Sequence, residues 1–254
     1  MKISSYNING VRAAERKGFV DWVSHSNPDI ICIQELRADE SQIPEEITSL
    51  NYHKYLVTAE KKGYSGVAIF TKTPAREVKK GLGVDWIDSE GRVITAEFEN
   101  FRVVSAYFPS GTTGDVRQDM KMKFLTDFID WGKQLAGDEK PTVVCGDFNI
   151  CHNEIDIHNP EKQHKTSGFL PEERAWVTSF LETGYEDVYR NLHPGEKHLY
   201  SWWSYRAGSK GKNKGWRIDY QMATPNIANK AIEAVIEHEW DISDHAPVSI
   251  IYSL

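Results

Sequence analysis

The chain has 254 residues, 40% of them hydrophobic and 11% aromatic, enough to bury a sizeable core yet short for two domains, so one domain over 1–254 is expected. Its 18 glycines and 10 prolines are scattered, which excludes a collagen-like or linker-rich chain. A formal net charge of −7 argues against a nucleic-acid partner unless a local basic surface overrides it, and no apolar run approaches the roughly 18 residues of a membrane span.

Period-two alternation predicts a first strand over 2–8, "KISSYNI", and helical spacing predicts a helix over 11–25 with Val11, Phe19, Trp22 and Val23 on one face. Strands are expected next over 29–35, 65–71, 92–98 and 101–108. A helix over 115–136 aligns Met120, Phe124, Leu125, Phe128, Ile129 and Leu135, and a strand over 142–149, "TVVCGDFN", follows it. Pro171 with Glu172 and Glu173 opens a third helix, and strands over 217–223 and 247–253 complete the pattern. Hairpin-like connections mixed with helical crossovers indicate an α/β fold with two packed sheets and helices outside. "MKISSYNING" lacks an apolar signal core, and Cys32 and Cys145 lie in apolar runs as reduced thiols do, so a cytoplasmic protein is expected. Cys151 beside His152 lacks the second ligand pair that a zinc site requires.

Asn7, Glu35, Tyr107, Asp147, Asn149 and Asp219 each fall at or near the end of an apolar strand run, and Asp244 and His245 precede the last one. Alternation places Asp147 and Asn149 on the same side of "CGDFN". Any one of these residues could be a turn or cap residue, but turns do not also call for Glu, Tyr and His. If the strand ends meet, Glu35, Asp147 and Asp244 with Asn7, Asn9 and Asn149 offer hard oxygen donors suited to Mg²⁺ or Mn²⁺, and hence to phosphate. His245 could be a base or phosphate ligand whose tautomer Asp219 holds, or a satisfied partner of a Ser243-Asp244 turn.

The charge problem has a local answer in "YRAGSKGKNKGWR", where Arg206, Lys210, Lys212, Lys214 and Arg217 add five positive charges with no acid among them. Trp202, Trp203, Tyr205 and Trp216 surround them, and such interleaving suits phosphate neutralisation with base stacking. A solvated loop with core tryptophans is the alternative.

The strings "NINGVRA", "IQEL", "YSGVAI", "AYFPSG", "GDFNICHNEIDI", "SGFLPEER", "GWRIDY" and "SDHAPV" occur in order from end to end. Together they resemble the exonuclease III family of apurinic/apyrimidinic (AP) endonucleases, within the endonuclease/exonuclease/phosphatase superfamily. The resemblance implies a four-layer α/β sandwich and a Mg²⁺-dependent monomeric phosphodiesterase that cuts double-stranded DNA 5′ to abasic sites and often acts on blocked 3′ ends. It implies Glu35 as principal metal ligand with support from Asn7 and Asn9, Asp147 as the residue that activates water, and Asn149 as the group steadying the phosphorane. It further implies that His245, oriented by Asp219, holds a phosphate oxygen, and that Tyr107 contacts the phosphate or leaving group. Asp244 looks like a further metal-site carboxylate, with Asp147, Asn149 and His245 also at the metal. Trp202, Trp216 and Ile218 would line the abasic pocket, and Asn9, Arg206, Lys210, Lys212 and Lys214 would meet DNA.

Three departures accompany the resemblance. Leu36-Arg37 stands where many relatives have Thr-Lys, Ser110 where relatives often carry an amide, and the segment from His164 to Ser167 falls in a variable loop. A phosphatase acting on a small phosphorylated molecule and an inactive DNA-binding module are the competing functions.

Overall fold

The computed structural model describes residues 1–254 apart from the side chain of Ala207. Its strands are β1 (Lys2–Asn7), β2 (Ile30–Gln34), β3 (His53–Val57), β4 (Val67–Thr71), β5 (Glu77–Lys80), β6 (Val93–Glu97), β7 (Arg102–Tyr107), β8 (Thr142–Asp147), β9 (Glu186–Asp187), β10 (Asp219–Ala223), β11 (Ala231–Ile236) and β12 (Val248–Tyr252). Helices α1 (Val11–Arg16), α2 (Phe19–Ser26), α3 (Glu45–Thr48), α4 (Asp85–Asp88), α5 (Asp115–Gly137) and α6 (Pro171–Glu182) lie between them. The strands form two six-stranded sheets, ordered β11-β12-β1-β2-β4-β3 and β5-β6-β7-β8-β10-β9.

Each sheet contains one parallel pair, β1 with β2 and β7 with β8. A parallel pair needs a crossover, which α1 and α2 supply for the first and α5 for the second. Ile3, Cys32, Ile69, Val103, Val143, Cys145 and Ile250 share the apolar layer between the sheets. On the outer face of the first sheet, Tyr6, Ile31, Ile33 and Phe70 pack with Phe19 and Trp22 of α2. On the other, Val104, Val144, Phe148 and Met222 meet Phe124 and Phe128 of α5 and Trp176 and Phe180 of α6. The result is helix, sheet, sheet, helix. Burial on both faces explains why β2, β4 and β8 read as continuous apolar runs rather than strict alternation.

The expected helix over 11–25 is two helices, because Lys17-Gly18 intervenes and Gly18 takes φ +95°. Four strands, β3, β5, β9 and β11, carry no clear signal in the sequence. They are the outermost strands of the two sheets, and β5 and β11 bury few of their side chains, so their apolar pattern is weak. The strand expected over 217–223 is ordered as β10 only from Asp219, since Arg217 and Ile218 belong to the approach to it. Gly146 has a packing cause: a Cβ there would lie 2.0 Å from the carbonyl oxygen of Ala106 on the neighbouring strand.

The parallel pairs place their C-terminal ends at one edge of the sandwich, the usual location of ligand sites in open α/β sheets. Asn7 pairs in register with Gln34, Tyr107 with Asp147, and antiparallel β10 brings its first residue, Asp219, opposite Asp147.

Candidate active site

Asn7 joins the two sheets. Its Nδ2 donates to Glu35 Oε1 at 3.0 Å and to Asp147 Oδ2 at 2.9 Å, while its Oδ1 accepts from the Asn9 amide at 3.0 Å. Asp147 Oδ1 accepts from the Asn149 amide at 2.8 Å, and Asn149 Nδ2 donates to Asp147 Oδ2 at 3.2 Å and to the Phe108 carbonyl at 3.0 Å. Asn149 lies beyond the end of β8, so its convergence on Asp147 comes from a turn rather than from strand alternation. Asn9, Glu35 and Asn149 all have left-handed backbones, with φ of 50°, 56° and 52°. Such conformations are unfavourable away from glycine and persist only where surrounding contacts enforce them. For Glu35 those contacts include its carbonyl accepting from the Gly10 amide and the following Leu36 amide donating to Gly66.

His245 Nδ1 faces both oxygens of Asp219 at 2.9 and 3.1 Å, and its Nε2 lies 3.7 Å from Asp147 Oδ2. Ser201 donates its hydroxyl to Asp219 Oδ2 at 2.6 Å and accepts from the Ile218 and Asp219 amides. Burial works against a charged imidazole, but Asp219 and Asp147 outweigh it and push the pKa of His245 up to about 10. Burial raises Asp147 to about 7, with Asp219 and Glu35 adding to the rise and His245 opposing it. The arrangement pairs a protonated imidazole with a carboxylate poised near neutrality. Burial, then Glu35 and Asp147, push the Tyr107 phenol well above its usual range, and the guanidinium of Arg92 sits 5.0 Å from its ring.

Asp147, Asp219 and His245 have ligand-capable atoms within 4.8 Å of one another. Asp219, however, already spends its oxygens on His245 and Ser201, so this trio is better read as a hydrogen-bonded relay than as an ion cage. Glu35 and Asp147 are hard oxygen donors bridged by Asn7, and of the two Glu35 has the less engaged carboxylate. Glu35 Oε2 is buried without a hydrogen bond and is contacted by the half-exposed guanidinium of Arg37. That donor set fits a small divalent cation. Asp244, expected at the metal, accepts from Asn9 Nδ2 at 2.8 Å on Oδ1 and from Trp202 Nε1 at 3.1 Å on Oδ2. Burial opposes its charge, but His245, Trp202 and Asn9 hold it below the usual carboxylate range. It therefore ties the Asn9 turn to the aromatic wall.

That wall stands next to the imidazole. Trp202 packs edge-on against Trp216 at 5.9 Å and tilts against His245 at 6.5 Å, and both tryptophans cover a cluster of Cys151, Ile157, Phe169 and Ile218.

The basic segment is less uniform than its composition indicates. Arg206, Lys212 and Lys214 are exposed. Lys210 turns inward, donating to the Trp240 carbonyl at 2.9 Å and to Asp241 at 3.0 Å. Arg217 is fully buried because Asp156, from the segment after β8, and Asp187, at the end of β9, both bond to it. Trp203 is likewise a core residue, 4% exposed, with Nε1 bonded to Asn213.

Several site residues escaped sequence reasoning. Ser201 has no local signal. Arg12, Arg16 and Arg37 line a cavity of about 430 Å³ beside Gly10, and the four-residue spacing of Arg12 and Arg16 in "VRAAER" was the clue to it. Tyr64 accepts from Arg92 and Arg117, each at 2.6 Å, beside Ser110 in a second cleft. Of the departures, Leu36 is simply buried in the layer under α2, and Arg37 is the partner of Glu35.

A carboxylate bridged to a second carboxylate by an amide, with a charged imidazole across from it, at the open edge of a two-sheet α/β sandwich, defines a class of phosphate-ester hydrolases. The description "Endonuclease/Exonuclease/phosphatase family" matches residues 4–245, and the chain belongs to that family. It is 40% identical over 255 residues to an exodeoxyribonuclease of Bacillus subtilis, covering 100% of both chains. It is 40% identical over 257 residues to the DNA repair nuclease APEX1 of Danio rerio, covering 100% of this chain and 83% of that one. The solved structure of an AP endonuclease from Archaeoglobus fulgidus superposes with a TM-score of 0.91 at 27% identity over 100% of both chains. Among the described residues no helix is long and apolar enough to cross a membrane.

Proposed function

We propose that this protein is a Mg²⁺-dependent DNA-repair phosphodiesterase that incises duplex DNA 5′ to abasic sites and also trims blocked or ordinary 3′ ends. The observation carrying the reading is the contiguity of His245, Trp202 and Trp216, which sets an apolar aromatic wall directly beside a phosphate-sized polar centre. A normal nucleotide must unstack to reach such a wall, whereas an abasic sugar has no base to unstack, so selectivity follows from the energy of extrusion.

In the proposed reaction Asp147, whose carboxylate is fixed by Asn7 and Asn149, takes the proton from the attacking water. His245, held by Asp219, donates through Nε2 to a non-bridging oxygen. Asn149 and Tyr107 adjoin Asp147 and Glu35 and stabilise the phosphorane and the leaving 3′-oxygen. Glu35 with Asn7 and Asp147 would hold the divalent cation, Mg²⁺ or in its place Mn²⁺. When bound, that cation supplies positive charge to the phosphoryl group. Asn9 braces Asp244, and Ile218 floors the aromatic pocket. Arg206, Lys212 and Lys214 are exposed and Arg12 and Arg16 line the cavity beside Gly10, which supports their neutralising backbone phosphates despite the acidity of the whole chain.

The three cysteines are free and buried, which supports a reducing, cytoplasmic setting. In the proposed reading the protein acts there as a single-domain monomer that meets the nucleoid through its DNA substrate. The test is a duplex carrying one tetrahydrofuran abasic analogue, incubated with Mg²⁺ or with chelator, and the products sized. Incision immediately 5′ to the analogue, lost with chelator, is the expected result. Hydrolysis of small phosphomonoesters with an intact duplex would instead assign the protein to the phosphatases of the family.

A further inference from the structure

Behind the site lies an ion pair that the proposed reaction does not use. Lys121 on α5 and Glu173 on α6 are both completely buried, with Nζ 2.6 Å from Oε1. Lys121 Nζ also donates to the backbone carbonyl of Asn149 at 2.8 Å. Glu173 Oε2 accepts from the Gly168 amide at 2.6 Å and from the Leu170 amide at 3.0 Å, the second being the reach-back bond of a helix N-terminus. The Gly168 carbonyl in turn accepts from the Cys151 amide at 2.7 Å. Gly168 has φ +96° and sits so close to its neighbours that a Cβ would lie 3.0 Å from both Trp216 Cζ3 and the Asn149 carbonyl.

The pair thus grips two segments at once. One end holds the turn in which Asn149 is kept left-handed, and the other holds the stretch that backs Trp216 and carries Phe169 into the cluster beneath both tryptophans. Stability alone is a weak reason for such a pair, because well-packed apolar residues commonly replace buried ions without loss. The aromatic layer between α5 and α6 could accept them.

The geometry points to Lys121 and Glu173 as positioning residues that set the distance between the phosphate-facing Asn149 and the lesion-facing wall at Trp216. The inference rests on the proposed incision reaction, in which one nucleotide engages both places together. Small misplacements of such groups reduce turnover steeply.

Lys121→Met alone leaves a buried carboxylate unpaired and invites unfolding. The double variant Lys121→Met with Glu173→Gln removes both charges at similar volume and is the test. Its melting temperature is expected within a few degrees of wild type, its kcat on the abasic duplex lower by about ten- to a hundredfold, and its KM within about threefold. Lys121→Arg, which keeps a donor, recovers most of the rate. Hydrogen exchange at the Cys151 and Gly168 amides is expected to accelerate in the double variant, and this readout needs no DNA. Wild-type kcat together with wild-type exchange in a folded double variant overturns the assignment. If the wild-type protein itself leaves the abasic duplex intact, the incision reading fails, and the exchange rates still decide whether the pair holds the two segments.

Discussion

Asn7 and Asp147 end strands of different sheets, yet the amide of one donates to the carboxylate of the other at 2.9 Å. The same nitrogen reaches Glu35, so one neutral side chain spaces two carboxylates that would otherwise repel. Asn7→Ala is expected to leave the fold intact and to lower kcat for abasic incision by about ten- to a hundredfold, as a loss of preorganisation does. Single-turnover incision at saturating enzyme measures it, and an unchanged rate would remove Asn7 from the site.

Asp147→Asn should abolish incision while duplex binding persists, because the variant keeps the acceptor geometry and loses the base. Asp219→Asn should cut the rate by about two to four orders of magnitude, since His245 then loses the carboxylate that orients and charges it. Fluorescence anisotropy in chelator, run beside the cleavage assay, separates binding from chemistry. Equal losses in both would mean that these residues act on the fold instead.

Replacing Arg206, Lys212 and Lys214 together by Ala should weaken DNA binding and flatten its salt dependence by about 0.9 in the log–log slope for each phosphate no longer neutralised. Lys210→Ala should leave that slope unchanged, because Lys210 is committed to Trp240 and Asp241. Binding titrations at several salt concentrations distinguish the two, and a flattened slope for Lys210→Ala would show that it leaves Asp241 to meet DNA.

Burial alone would raise the Asp156 carboxyl, but Arg217 and Arg190 overcome it and hold the group below its usual value of 3.8. The folded protein therefore keeps this carboxylate ionised at a pH where the unfolded chain has begun to protonate it. The resulting stabilisation is fully present above 3.8 and is lost as pH falls through the lower folded value. Asp156→Asn should destabilise the protein at neutral pH by about 3–5 kcal/mol, the range for breaking a buried ion pair, and should make stability less steep in acid. Urea titrations at pH 7 and in the acid range test both parts, and an unchanged acid slope would assign the dependence to other carboxylates.

The polar residues that make the site were readable as strand-end interruptions of apolar runs, because the faces and ends of a strand are local properties of the chain. Asn7, Glu35, Tyr107, Asp147 and Asp219 were found in that way, and the crossover helices followed from their apolar spacing. What the sequence could not settle was which partner each charged side chain takes. Arg217 looked like a surface cation until Asp156, 61 positions away, and Asp187 closed around it, and Lys210 was claimed by Asp241. Ser201 behind Asp219, Arg37 against Glu35, and the Lys121–Glu173 pair beneath Asn149 likewise became visible only when the sheets were packed. Composition and periodicity carry information over a few residues. The pairing of a charge is decided by whatever distant segment desolvates it, and that belongs to the tertiary structure.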